Sequence, residues 1–322
     1  MRQNDPPPVI EVRGLVKRYR DSDRPAVDSL DMTVRGGEFV ALLGPNGAGK
    51  TTTLSILTTS LNKTAGEVRV AGYDLDTHAK EIRARIGIIF QSPSLDLRLT
   101  AEENLRFHAS LYGIYGYRPT FRLMPRAYRD QVLTLARLLG IEGDLCHRVE
   151  KFSGGMRRKL EIVRSLMHHP KVLFLDEPTQ GLDPVSRQSL WSYLRQVQKE
   201  EGTTVFLTTH YIEEAEGADR VFIVAKGRLL TEGTPETLKV QIADRYLLLD
   251  AVDRDQLVRD LDGLTVTTDE DGLLKVAFDG ATPQGLLARI TVPLTVLRIH
   301  VPSLEEAYIE LVGREEAETA AG

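Results

Sequence analysis

Residues 44–51 read Gly-Pro-Asn-Gly-Ala-Gly-Lys-Thr. That order of residue types suits a chain wrapping a phosphate. The glycines let the backbone come close and point N–H groups at phosphate oxygens. Lys50 supplies a point charge for the β and γ phosphates of a nucleotide, and Thr51 offers a hydroxyl to Mg2+. Gly44, Pro45, Asn46, Gly47, Ala48, Gly49, Lys50, Thr51 and Thr52 are therefore the candidate nucleotide contacts. A second element, Val172-Leu-Phe-Leu-Asp-Glu177, is an apolar run that ends in two acids. Asp176 is placed to hold Mg2+, through water, and Glu177 to act as the general base on an attacking water. Together the two elements point to hydrolysis of a nucleoside triphosphate.

These groups need rigid supports. The apolar run Glu38–Leu43 predicts a strand before the glycine-rich loop, and Lys50–Leu61 predicts a helix after it, so a bound phosphate would meet the positive end of that helix. Val172–Leu175 predicts a buried strand that delivers Asp176 and Glu177 at its carboxyl end, where open α/β sheets place ligands. Further strands are expected at Val9–Tyr19, Glu67–Leu75, Ile86–Phe90, Thr204–Thr208 and, around a Lys-Gly turn, at Arg220–Ala225 and Arg228–Thr231. A helix is expected at Val185–Lys199. Apolar spacings of three and four make Thr100–Glu150 helical, and the aromatic, basic stretch Ile114–Pro125 reads as an exposed connection. Strands alternating with helices predict an α/β core with a largely parallel sheet. Beyond Gln241 the order becomes βαββαβ over Tyr246–His300, which matches a small ferredoxin-like α+β domain. Pro302 then precedes a closing helix, Ser303–Val312.

The expected domains are a loose tail at 1–8, an ATPase domain at 9–240 with a helical subdomain at about 98–165, a small domain at 241–313 and a second tail at 314–322. The chain has 322 residues and a net charge of −5, which argues against a general nucleic-acid binder. Its single cysteine, Cys146, excludes an intrachain disulfide and a cysteine-based zinc site, and suits a reducing cytosolic setting. Cys146 itself reads as a small buried apolar residue, and His168 and His169 as surface residues. No stretch reaches the roughly 18 apolar residues that span a bilayer, so a transport role would need a separate pore.

Other motifs are more specific. Phe152-Ser-Gly-Gly-Met156 resembles the ABC ATPase signature, usually Leu-Ser-Gly-Gly-Gln, and keeps its phosphate-facing Ser153, Gly154 and Gly155. Gln91 matches the Q-loop glutamine, Gly181-Leu-Asp183 the D-loop, His210 the switch histidine and Tyr19 the aromatic that stacks on adenine. The resemblance covers roughly residues 9–235. It implies two subunits meeting head to tail around two ATP molecules, with Ser153, Gly154 and Gly155 acting in trans on the nucleotide held by the other subunit. It also implies that His210 holds the γ-phosphate and attacking water, that Gln91 touches metal or water and senses the nucleotide, and that Asp183 couples the two sites.

Phe-Ser-Gly-Gly-Met-Arg-Arg-Lys (152–159), Thr-His-Tyr-Ile-Glu-Glu-Ala-Glu (209–216), Leu-Thr-Ala-Glu-Glu-Asn-Leu (99–105) and the ending at 301–313 resemble the daunorubicin-resistance branch. Members of that branch pair with an ABC-2-type integral-membrane permease and export drugs, polyketides, lipids or polysaccharides. The resemblance thus implies a cytoplasmic subunit, peripheral on the inner face of the cell membrane, with Leu95 and Leu97 as candidate permease contacts. An importer ATPase with a regulatory C-terminal domain and a soluble non-transport ABC ATPase are the alternatives. The soluble class is disfavoured by the lack of a long coiled coil, of zinc cysteines and of a second cassette.

Overall fold

The computed structural model describes residues 7–20, 22, 24–90, 94–242, 246–269, 271–278 and 282–321. The chain divides into two compact units, Met1–Glu232 and Gly233–Gly322.

The strands of the first unit are β1 (Pro8–Lys17), β2 (Val27–Arg35), β3 (Phe39–Leu43), β4 (Ala65–Val70), β5 (Tyr73–Asp74), β6 (Ile86–Ile89), β7 (Val172–Asp176), β8 (Thr204–Thr209), β9 (Arg220–Ala225) and β10 (Arg228–Gly233). Its helices are α1 (Lys50–Leu57), α2 (Ala79–Arg83), α3 (Ala101–Leu111), α4 (Arg126–Leu138), α5 (Gly154–Leu166), α6 (Pro184–Glu201) and α7 (Ile212–Glu216). One sheet, ordered β10-β9-β3-β8-β7-β6, is parallel from β9 to β6. Every residue of β3, β7 and β8 is buried, as expected of parallel strands covered on both faces. A second, antiparallel sheet runs β2-β1-β4-β5. Ile10, Val12, Met32 and Val34 from it share one core with Leu54 and Ile56 of α1 and with Phe174, Phe206 and Phe222 of the parallel sheet.

Sequence signals set the helix ends. Asp183 caps α6, Pro184 occupies its first turn, and Gly202 closes it at φ 64°. Thr100 and Glu103 form a reciprocal capping box on α3, and Ser153 caps α5 through Met156 N.

Several expectations are corrected. β2 has no counterpart in the sequence reading: Ser29 adopts φ 53° at an irregular point of the β1–β2 ladder, and this interrupts the alternation that resumes at Leu30, Met32 and Val34. The expected strand Glu67–Leu75 is a hairpin, because Ala71 and Gly72 both take positive φ between β4 and β5. Helix α1 stops at Leu57, four residues early, where Thr59 reaches φ 62°. Residues 1–6 lie outside the described residues, and Pro8 of the expected tail already belongs to β1.

The second unit contains α8 (Pro235–Ile242), β11 (Tyr246–Ala251), α9 (Arg254–Asp260), β12 (Val266–Thr268), β13 (Leu274–Ala277), α10 (Pro283–Leu287), β14 (Leu294–His300) and α11 (Leu304–Ala321). Its antiparallel sheet is ordered β12-β13-β11-β14, the arrangement of a βαββαβ ferredoxin-like domain. Leu247, Leu249, Leu257, Val276 and Leu286 form its core. Helix α8 falls within this unit, so the division comes at 232/233, ahead of the expected 240/241. The expected tail at 314–322 instead continues α11 to Ala321, since Arg314-Glu-Glu-Ala317 are good helix formers with no breaker among them.

Candidate functional site

The parallel register brings the chemistry together. Leu43 stands level with Thr209 on the neighbouring strand, and Thr208 stands level with Asp176 on the next. Gly44, His210 and Glu177 therefore follow three adjacent strand ends, each spaced about 4.8 Å from the next.

The loop 44–51 cannot carry side chains at its tight points. A Cβ on Gly44 would sit 2.3 Å from Val224 O, and one on Gly49, at φ 94°, would sit 2.3 Å from Ala26 O. Asn46 and Gly47 form the exposed tip, and Ala48 is buried and bonded through its N–H to Pro45 O at 3.2 Å. Lys50 is 5% exposed, and its Nζ donates to Gly44 O at 2.8 Å and Pro45 O at 3.0 Å. Burial pushes its ammonium below the usual lysine range, while Glu177 and Asp176 pull it back up.

Asp176 is buried at the end of β7 and accepts from Thr208 Oγ1 at 2.5 Å and Thr51 Oγ1 at 3.2 Å. Glu177 sits at φ 43°, a region that costs a non-glycine residue of order 1–3 kcal/mol. Its N–H donates to Thr208 O at 3.2 Å and Thr208 Oγ1 at 3.1 Å, which holds the turn. The turn aims the carboxylate inward: Glu177 Oε1 lies 3.8 Å from Lys50 Nζ and 3.2 Å from His210 Nδ1. The His210 contact is out of line for a hydrogen bond, so buried Nδ1 has no hydrogen-bond partner among the described residues, and the ring leans on Tyr211 at 4.0 Å between centroids.

Tyr19 follows β1 on a loop instead of ending the strand. It is 43% exposed, with its hydroxyl 3.4 Å from Thr52 Oγ1 and Lys17 Nζ 5.2 Å from its ring centroid. Thr52 is in the first turn of α1, so an exposed aromatic face stands beside the loop. Ser153 and Gly154 are exposed at the start of α5, and a Cβ on Gly155 would meet Ser186 Oγ at 3.2 Å. Ser186 also binds Asp183, whose carboxylate accepts from Val185 N, Ser186 N and Ser186 Oγ at 3.1, 3.0 and 2.6 Å. Those bonds, the Ser186 hydroxyl foremost, hold the Asp183 carboxyl below the usual range. The Ser153–Gly155 and Asp183 turns are thus neighbours. Gln91 lies outside the described residues.

A family profile described as ABC transporter matches residues 27–180. The daunorubicin/doxorubicin resistance ATP-binding protein DrrA of Streptomyces peucetius is 38% identical over 321 residues, covering 96% of this chain and 93% of that protein. The chain belongs to the ABC transporter ATP-binding proteins. The probable multidrug ABC transporter ATP-binding protein YbhF of Escherichia coli (strain K12) is also 38% identical, over 73% of this chain, and the chain spans 39% of that relative's length. Among solved structures, a dimeric post-hydrolysis state of the ATP-binding cassette MJ0796 bound to ADP and Pi superposes with a TM-score of 0.62 at 26% identity, covering 70% of this chain and 98% of that one.

Within this ABC ATPase fold, three side chains about the site were not singled out by sequence. Thr208 joins Asp176 to the Glu177 backbone; its only signal is a polar pair, Thr208-Thr209, closing a buried strand. Glu214, 2% exposed on α7, accepts from Thr179 Oγ1, and burial raises its carboxyl above the usual range. Arg158 is buried on α5.

Two residues outside the site also depart from expectation. Cys146 is exposed, because it lies just beyond the short 3-10 turn Glu142–Asp144 and not on a packed helix. His168 is not a surface residue. It bonds Ile86 O at 2.8 Å and stacks on Tyr112, because the end of α5 packs on β6. His169 is exposed, 3.4 Å from Glu201. Among the described residues no helix is long and apolar enough to cross a membrane.

Proposed function

We propose that this chain is the ATP-hydrolysing subunit of an ABC-2-type exporter: it binds MgATP, pairs with a second ABC ATPase subunit around two nucleotides, and drives a separate integral-membrane permease from the cytoplasmic face. The observation that carries the proposal is the convergence of Lys50, Asp176, Glu177 and His210 at three adjacent strand ends.

Lys50 would leave the loop carbonyls for the β and γ phosphates, which restore the counter-charge that burial denies it. Tyr19 would stack on the adenine. Glu177 would take the proton of the attacking water, and His210, 3.2 Å away, would hold that water and the γ-phosphate in line. Thr51 and Asp176 fit Mg2+, since a hydroxyl and a carboxylate already 3.2 Å apart are hard oxygen donors. Among the described residues no cluster of three His, Cys, Asp or Glu could hold a metal alone, which suits an ion that keeps waters and phosphate oxygens. When bound, Mg2+ neutralises charge developing on the phosphates. Gln91 would report on that site. The exposed Ser153 and Gly154 and the half-buried Gly155, at the positive end of α5, would close over the γ-phosphate of the paired subunit, and Asp183 beside them would link the two sites.

Export is favoured because DrrA matches over nearly the full length of both chains. Leu97, 43% exposed, and half-buried Leu95 precede α3 and are the proposed permease contacts. The test is capture with the Glu177→Gln variant and MgATP from detergent-solubilised membranes, read by mass spectrometry. Recovery of a small hydrophobic permease without a solute-binding protein supports export. Recovery of an importer complex, or of soluble partners only, refutes it.

A further inference from the structure

One face of α5 carries three charged residues at helical spacing, Arg158, Glu161 and Arg164. Arg158 is 7% exposed and Glu161 1%. The Arg158 guanidinium reaches the ends of two strands at once. It donates from Nη1 to Phe90 O at 2.6 Å, just past β6, and from Nε to Pro178 O at 3.2 Å and Nη2 to Asp176 O at 3.4 Å, on either side of Glu177. Glu161 balances its charge at 3.2 Å and accepts Ser94 N at 2.8 Å, and Arg164 donates to Ser94 O at 2.7 Å. A buried ion pair of this kind is a weak source of stability, since apolar side chains of similar volume pack a helix as well. What they do not supply is a rigid fork of donors that fixes several carbonyls at set angles.

The consequence lies in what the fork holds. Thr208 on β8 holds the Glu177 N–H, and Arg158 on α5 holds the carbonyls of the residues on either side, Asp176 and Pro178. Helix α5 begins at Ser153-Gly154-Gly155, so the same rigid element carries that turn at one end and, one turn later, grips the backbone that flanks Glu177. We propose that Arg158 is a positioning residue: it ties the Ser153–Gly155 turn to the backbone carrying Glu177, so that engagement of that turn by a paired subunit's nucleotide sets the alignment of the base in its own subunit. This rests on the proposed roles of Glu177 and of the signature turn in trans.

Two variants test it, read against Glu177→Gln. Arg158→Lys keeps a charge opposite Glu161 but not the fork. The double variant Arg158→Met/Glu161→Met removes both charges at similar volume. For each, thermal unfolding, MgATP affinity and hydrolysis against ATP concentration are measured. The expected result is near-parent unfolding and MgATP affinity, with turnover at saturating ATP down about ten-fold or more and a shallower dependence on ATP concentration. A purely structural role would instead lower unfolding temperature and spare turnover in the folded fraction. Either folded variant hydrolysing at the parent rate, with the parent's concentration dependence, overturns the proposal, and Arg158→Lys decides alone if the double variant does not fold. If Glu177→Gln loses turnover while Arg158→Lys keeps it, this inference alone falls. If Glu177→Gln keeps parent turnover, the assignment of the base falls, and this inference falls with it.

Discussion

Replacing Thr208 by valine keeps the shape of a fully buried side chain and deletes one hydroxyl. That hydroxyl donates to Asp176 Oδ1 at 2.5 Å and accepts the Glu177 N–H at 3.1 Å. A hydrogen bond to a charged group contributes about 1.5–3 kcal/mol. The added methyl group returns about 0.8 kcal/mol of apolar burial. The Glu177 N–H keeps Thr208 O at 3.2 Å, so its loss is partial. The net cost should be about 1–2 kcal/mol, and for a unit of this size each kcal/mol lowers the melting temperature by roughly 2–4 °C. Because the two bonds that go are those that orient Asp176 and Glu177, turnover should fall by about 5- to 30-fold if the same energy is lost from the aligned state. Urea unfolding and steady-state hydrolysis read the two effects on one preparation. Thr208→Val with parent stability and parent turnover would refute the claim that this threonine joins the two acids.

Gly49→Ala should impair both folding and nucleotide binding, because the new Cβ meets Ala26 O at 2.3 Å and φ is 94°; a denaturant melt and an ATP-binding titration check it. Lys50→Met should leave the nucleotide-free protein as stable as the parent or more so, since burial disfavours the ammonium, yet MgATP at 100 times its Kd should stabilise the parent by about 2.7 kcal/mol and the variant not at all. Glu214 binds its proton more tightly folded than unfolded, so its contribution to stability is greatest below the unfolded value near 4.5 and declines as pH rises to the folded value. Glu214→Gln should remove that decline, as seen in melts from pH 4 to 8.

Much of the site was legible in sequence because its parts are local: a glycine-rich loop between a strand and a helix, two acids after an apolar run, a histidine after another. The βαββαβ order of the second unit was legible too, since its strands and helices alternate cleanly. What escaped depends on register. Nothing local to Thr208 reveals that it stands level with Asp176, and nothing local to Arg158 reveals two strand ends within reach of its fork. β2 escaped because its irregularity at Ser29 hid the period. Cys146 was misread because composition alone says how often a cysteine is buried, not where its segment packs.

Glu177 is proposed as the base of a nucleotide site completed by a second subunit. Its most direct test is Glu177→Gln, assayed for hydrolysis and for mass in solution with and without MgATP. Retained MgATP affinity, turnover lowered by roughly 100-fold or more, and a dimer that appears only with MgATP are expected. Hydrolysis at the parent rate, or a nucleotide-loaded protein that stays monomeric, would contradict it.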